Sequence, residues 1–365
     1  MSPFAPAKAF DQDAIACNPH LTSGVLNTPE DFKVAQTKPV IALAAGDPSG
    51  ISLELLAKLL ADAETRNAAN FIVIGDRRAL KEGERIAKVS IDIPDWAGPG
   101  NAPDFSKGAV LLDLGHLDEA SLTTGDSSRA GGRFALENFR KALNLARDGL
   151  ADAVAFTPFN KHAMRLYDSS YVDEIEIITA ELGGGPGREF NVMDNLWNAR
   201  ITSHVPLSKV SSLITRQAVL NGLLLTDRCM REAGFKQPRI AVAALNPHAG
   251  DGGNFGHEDD DEITPAVADA KAKGIVCEGP FPSDTVFLRA RRGDFDAVQT
   301  MYHDQGQIAM KLMGFEKGVT LIGGYKVPVC TPAHGTAYDI AGKGIANLGA
   351  TRAAILLASR LAKPH

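Results

Sequence analysis

Between residues 39 and 361 short apolar runs alternate with longer stretches whose apolar residues recur at helical spacing, and this alternation constrains the fold more than any other feature. Runs that are apolar on both faces need cover on both sides, so the pattern predicts an α/β protein with helices layered on a mostly parallel sheet. Strands are expected at 39–45, 71–74, 110–112, 153–156, 239–244, 297–301 and 319–321. Helices are expected at 53–62, 132–148, 216–233, 263–272 and 351–361. The 365 residues suffice for two α/β domains or one large one. Turn-rich loops lie at Gly46-Asp47-Pro48-Ser49-Gly50, at 183–187 and at 246–256. Ligands of open α/β sheets bind at the carboxyl ends of strands, which makes these loops candidate site walls.

Composition narrows the function classes. A net charge of -6 without a basic run argues against a nucleic-acid or anionic-membrane partner. No apolar segment approaches the roughly 18–20 residues of a membrane span. Cys17, Cys229, Cys277 and Cys330 stand far apart without a CxxC pair, which argues against a zinc ribbon, an iron–sulfur site or a disulfide framework and fits a reducing cytoplasm. Residues 1–37 contain no apolar leader core and read as an irregular N-terminal extension. The acidic run Glu258-Asp259-Asp260-Asp261-Glu262 lacks the spacing of a calcium loop and reads as a solvated helix start.

Three of the nine histidines sit in strand-end loops with polar companions: His204 in Ser203-His204-Val205-Pro206-Leu207, His248 in Asn246-Pro247-His248-Ala249-Gly250, and His303 in Tyr302-His303-Asp304-Gln305-Gly306. Three imidazoles would leave open positions on Zn²⁺ for substrate oxygens. The spacing is no short metal motif, so each histidine on its own also suits an ordinary hydrogen-bonded role.

These segments, with Gly46-Asp47-Pro48-Ser49-Gly50-Ile51, Thr157-Pro158-Phe159-Asn160-Lys161 and Pro282-Ser283-Asp284-Thr285, resemble in order the motifs of the 4-hydroxythreonine-4-phosphate dehydrogenases and their catabolic relatives, the terephthalate dihydrodiol dehydrogenases. The resemblance runs from about Pro39 to the C-terminus. It implies two α/β/α domains with a cleft between them, as in isocitrate and isopropylmalate dehydrogenases. The nucleotide-binding domain would span 38–155 and 310–365, and the metal, substrate and dimerisation domain 156–309. It also implies that His204, His248 and His303 hold a divalent metal, Zn²⁺ by softness, at the interface of a homodimer whose subunits share active sites. The segment His334-Gly335-Thr336-Ala337-Tyr338-Asp339-Ile340-Ala341-Gly342 resembles the adenosine-binding stretch of isocitrate and isopropylmalate dehydrogenases. NAD would therefore be held by His334, Gly335, Thr336, Ala337, Asp339 and Gly342. No GxGxxG follows the first strand, so a Rossmann site is not supported.

The substrate pocket departs from the family pattern. Lys311 matches the substrate-binding lysine, but the usual His–Thr pair falls on Glu174 and Ile175, and the next asparagine and arginine fall on Thr320 and Val329. Losing a phosphate-facing histidine and arginine removes charge-assisted hydrogen bonds of about 1.5–3 kcal/mol each. That argues for an unphosphorylated substrate, an aromatic cis-dihydrodiol carboxylate oxidised as a β-hydroxy acid and then decarboxylated. The alternatives are 4-hydroxythreonine-4-phosphate dehydrogenase itself and a metabolite-binding homologue without turnover. Asp284, Asp304 and Lys161 are the candidate catalytic groups. Asp284 could instead cap a helix, and Lys161 and Lys311 could pair with surface acids. Asp47 would shape the loop facing substrate or nicotinamide.

Overall fold

The computed structural model describes residues 38–184 and 187–362; the expected N-terminal extension, 1–37, lies outside them. The strands are β1 (Val40–Ala44), β2 (Asn70–Gly75), β3 (Ala109–Asp113), β4 (Ala153–Phe156), β5 (Arg188–Met193), β6 (Leu196–Arg200), β7 (Ile240–Ala243), β8 (Cys277–Phe281), β9 (Ala297–Thr300), β10 (Val319–Gly323) and β11 (Val329–Pro332). The helices are α1 (Ser52–Ala61), α2 (Ala63–Ala68), α3 (Arg77–Ala87), α4 (Arg129–Arg147), α5 (Lys161–Tyr167), α6 (Glu174–Leu182), α7 (Val210–Leu213), α8 (Arg216–Glu232), α9 (Thr264–Ala272), α10 (Ser283–Arg291), α11 (His303–Gly314) and α12 (Gly349–Leu361). The chain has the α/β fold that its apolar pattern predicts.

All the strands join one sheet in the order β3-β2-β1-β4-β11-β10-β5-β6-β9-β7-β8. Five strands from β3 to β11 run parallel, as do β6, β9, β7 and β8. The antiparallel strands β10 and β5 stitch these two parallel groups together. The expected halves, 38–155 with 310–365 and 156–309, thus share a continuous sheet.

Burial follows the period of two. Ile41 and Leu43 enter one apolar layer with Leu53 and Leu56 of α1, while Ala42 and Ala44 enter the other with Leu136, Phe139 and Leu143 of α4. A fully buried Leu, Ile or Phe contributes about 1.5–3 kcal/mol, so two covered faces hold the central strands firmly. Polar caps then start the helices where the strands end. Asn160 accepts from the Ala163 amide at 2.9 Å and Asp173 from the Glu176 amide at 3.0 Å, which makes Lys161 and Glu174 the first residues of α5 and α6.

Four strands escape the apolar pattern. β5 and β6 form a hairpin that buries Asn191, Asn198 and Arg200. β8 carries Gly279-Pro280, residues that weaken a strand signal and suit the sheet edge it occupies. β11 is short and includes Thr331 and Pro332. Helix α3 is mostly charged and owes its start to Asp76, which accepts from the Arg78 amide at 2.9 Å. Among the described residues no helix is long and apolar enough to cross a membrane.

Candidate active site

β6 and β9 are parallel neighbours, so the segments leaving their carboxyl ends emerge side by side. One carries His204 and the other opens α11 with His303. Their ring centroids lie 5.8 Å apart. Two imidazoles bound through nitrogen to one first-row cation, at about 2.0–2.1 Å each, place their centroids roughly 5–6 Å apart, so the pair fits a shared metal. Asp304 meets His303 Nδ1 at 2.7 Å. A carboxylate on one ring nitrogen orients the ring and leaves Nε2 for a ligand, a common arrangement behind metal-binding histidines. Asp304 therefore acts on His303, and its own carboxylate is largely exposed.

His248 follows β7 in the turn Pro247–Asp251, where His248 and Ala249 take left-handed φ of 53° and 56°. Non-glycine residues rarely adopt that region, and those that do concentrate at functional loops. Its ring lies 6.1 Å from that of Phe255. Among the described residues no three of His, Cys, Asp and Glu gather closely enough to hold a cation. The structure unites two of the three predicted ligands and leaves His248 outside the pair.

The acidic run beside this turn is not simply solvated. Asp259 is fully buried, and its two oxygens accept from the backbone amides of Leu245 at 2.9 Å and Asn246 at 3.0 Å. Glu258 accepts from Asn246 Nδ2 at 2.8 Å. Strand-end amides turned away from the sheet need acceptors, and these side chains provide them.

Asp284 lies exposed in the first turn of α10, which starts after Pro282 without a side-chain cap, so the capping alternative does not hold. Lys161 Nζ pairs with Glu174 at 2.8 Å, with the glutamate largely covered. Lys311 is exposed on α11, beside a small recess that Asn191 and Ala333 also line. Thr320 is half-buried on β10, opposite Asn191 and Thr331. Val329 requires a correction. It has no exposed surface and belongs to the apolar layer with Val154 and Ile322, so it packs instead of touching a ligand. Ile175 packs against that same layer.

Asp47, in the opening loop 46–50, is fully buried. Its oxygens accept from the Ser49 amide at 2.9 Å and from Tyr338 Oη at 2.6 Å. Tyr338 thereby ties the opening loop to the 334–342 segment, a function that nothing in the spacing of one tyrosine announces. The Ile51 amide donates to Thr336 O at 3.0 Å, and a Cβ on Gly50 would lie 2.6 Å from that oxygen, so glycine permits the close approach. Ala337 turns the segment with φ 42°, Gly335, Asp339 and Gly342 are exposed, and Thr336 is buried. Burial holds the His334 imidazole below its usual range, with Gly335 O at 3.1 Å from Nδ1. Gly342, Gly50, Arg77, Arg78, Lys81 and Glu82 border a cavity of about 830 Å³, spacious enough for part of a dinucleotide, and its cations pair with Asp95, Asp76 and Glu84. A second cavity of about 850 Å³, beside Cys229 and Tyr325, contains none of the predicted site residues.

Burial raises the Asp47 pKa, opposed by Tyr338 and Ser49. A carboxyl whose folded pKa exceeds its unfolded value favours the folded state at low pH and loses that contribution as pH rises from about 4 through the folded pKa. Tyr338→Phe removes a donor to the carboxylate and raises the folded pKa further. Its melting-temperature deficit relative to wild type is expected to be larger at pH 8 than at pH 4; a deficit independent of pH would remove Asp47 from the account.

Residues 67–358 match the family model described as "Pyridoxal phosphate biosynthetic protein PdxA". The chain is 57% identical over 345 residues, 94% of its length and 97% of the relative's, to a Rhizobium meliloti (strain 1021) protein named "Putative 4-hydroxythreonine-4-phosphate dehydrogenase 2". A solved 4-hydroxythreonine-4-phosphate dehydrogenase from Burkholderia phymatum superposes with a TM-score of 0.75 at 33% identity, covering 90% of this chain and 99% of that one. A terephthalate 1,2-cis-dihydrodiol dehydrogenase from Burkholderia xenovorans LB400 gives a TM-score of 0.62 at 25% identity, covering 88% and 98%.

Proposed function

This chain belongs to the PdxA family of pyridoxal phosphate biosynthetic proteins, and on that premise we propose that it oxidises the secondary alcohol of a short phosphorylated β-hydroxy acid with NAD. Its relatives are named as dehydrogenases, and NAD is the hydride acceptor of this reading. The aromatic dihydrodiol expected from the altered pocket gives way to the alternative. Relatives named for the phosphorylated substrate reach 57% identity, against 25% for the dihydrodiol enzyme. Val329 and Ile175 pack in or against the apolar layer, so a phosphate would be met by other groups. Lys161 and Lys311 remain as cations for a phosphate or carboxylate.

The observation that carries the reading is the His204–His303 pair, oriented by Asp304 at adjoining strand ends. Bound NAD supplies the hydride acceptor, and a bound divalent cation, favoured as Zn²⁺ by imidazole donors, supplies a Lewis acid toward the alcohol oxygen. His204, His303 and His248 would hold the cation. Asp284 takes the alcohol proton as the carbinol carbon loses hydride, and Lys161, set by Glu174, binds the carboxylate. The β-keto acid so formed loses that carboxylate as carbon dioxide.

A second copy of the chain would complete the site. Exposed apolar side chains lie close in sequence to several candidates: Leu207 to His204, Phe255 to His248, Leu288 to Asp284, and Ile308 and Leu312 to His303 on α11. Apolar surface of this kind suits a covering subunit.

Purified protein offered NAD with 4-hydroxythreonine-4-phosphate or a terephthalate dihydrodiol is expected to form NADH with the phosphorylated substrate, and to stop after chelation. Turnover of the dihydrodiol alone would reverse the substrate assignment, and NAD binding without turnover of any β-hydroxy acid would leave only a metabolite-binding function.

A further inference from the structure

We propose that Gln305 is the positioning residue of this site, holding the strand ends that carry the candidate ligands in register without itself touching substrate. The inference rests on the metal reading given above. Gln305 lies two residues beyond His303 on α11, and its amide uses its acceptor and both donors. Oε1 accepts from the Met301 amide at 2.8 Å, while Nε2 donates to Ala244 O at 2.8 Å and to Ser283 Oγ at 3.0 Å. The reverse amide orientation would set an NH₂ against the Met301 N–H and an oxygen against Ala244 O, so the contacts determine which end is which.

Each contact is a short step from a candidate functional residue. Met301 directly follows β9 and precedes Tyr302 and His303. Ala244 directly follows β7 on the way to His248, and Ser283 immediately precedes Asp284. Met301 O accepts from both the amide and Oγ1 of Thr202, two residues before His204, at 3.0 and 2.8 Å. Ser283 Oγ donates to Ala244 O at 2.6 Å, closing a small ring of bonds, and Asp259 secures the next two amides, Leu245 and Asn246. One side chain therefore couples three separate loops. Deleting the hub leaves the Met301 N–H without its acceptor and removes the side-chain tie between α11 and the Ala244–Ser283 pair. Glutamate matches the shape of Gln305 but lacks both donors, and asparagine is one methylene shorter.

The test measures metal affinity without turnover. Metal-free full-length protein is titrated with Zn²⁺ in competition with a chromogenic chelator, with the urea unfolding midpoint as the control for folding. Gln305→Ala and Gln305→Glu are expected to weaken Zn²⁺ binding roughly 10- to 100-fold while the protein still unfolds cooperatively, and Ser283→Ala to weaken it less. An affinity for Gln305→Glu within about threefold of wild type, well under that range, would overturn the proposal, and this variant decides the matter if Gln305→Ala fails to fold. If wild type takes up no Zn²⁺ and His303→Ala changes nothing, the metal reading itself falls and the inference with it. If His303→Ala abolishes binding while both Gln305 variants bind normally, only the inference fails.

Discussion

Replacing His303 with alanine is expected to lower kcat/KM by about a thousandfold or more, with the fold intact. His303 is only half-buried and opens a helix whose turns do not depend on its ring, so truncation leaves no large cavity. Its chemical loss is greater. A divalent cation stabilising a developing alkoxide contributes several kcal/mol to the transition state, and each 1.36 kcal/mol is tenfold in rate, so losing a ligand from an already sparse donor set reaches about three orders of magnitude. Asp304→Asn provides the graded comparison. It keeps a polar contact to Nδ1 but loses the carboxylate, and should fall roughly 10- to 100-fold. Steady-state rates with metal-loaded protein, alongside circular dichroism, measure both. A His303→Ala enzyme that retained more than a tenth of wild-type kcat/KM would leave the His204–His303 pair without a catalytic purpose.

The legible parts of this molecule are those where one local rule decides. β1, β2, β4 and β7 are apolar on both faces, which is what a helix-covered parallel strand requires, and the sequence shows them at nearly their observed bounds. His204 and His303 are legible as strand-end residues, and their meeting follows once β6 and β9 are neighbours. β5 and β6 are a different case. Arg200 donates to Asn191 and Asn198 donates to Val298 O across the sheet, partnerships between buried polar groups that no window of sequence can display. Asp47 holds its loop through a partner that no local rule shows, because Tyr338 lies far along the chain. At Val329, where the family resemblance leads one to expect a ligand-facing arginine, the side chain belongs to the apolar layer, so a family pattern names the place but not its use.

Arg200→Met should produce the largest loss of stability, about 3–5 kcal/mol, because it breaks a buried ion pair from one side. The Arg200 side chain is only 3% exposed. It donates to Asn191 Oδ1 at 2.6 Å and Ser203 Oγ at 3.0 Å, and pairs with the Glu189 carboxylate. Burial pulls its pKa below the ordinary range while Glu189 opposes the shift, so the guanidinium depends on its partners to remain in place. Truncation strands the largely covered Glu189 charge and frees Ser203, the neighbour of His204. Because a buried pair gains little over an apolar replacement of similar volume, Glu189→Gln combined with Arg200→Met should recover most of the lost stability in urea unfolding. It should not recover catalysis, since Ser203 remains untethered and His204 is held less firmly against His303. Stability and kcat/KM would then part company in the double variant. Strictly additive losses in unfolding would instead mean that Arg200 and Glu189 act independently, and that the network behind His204 is merely packing.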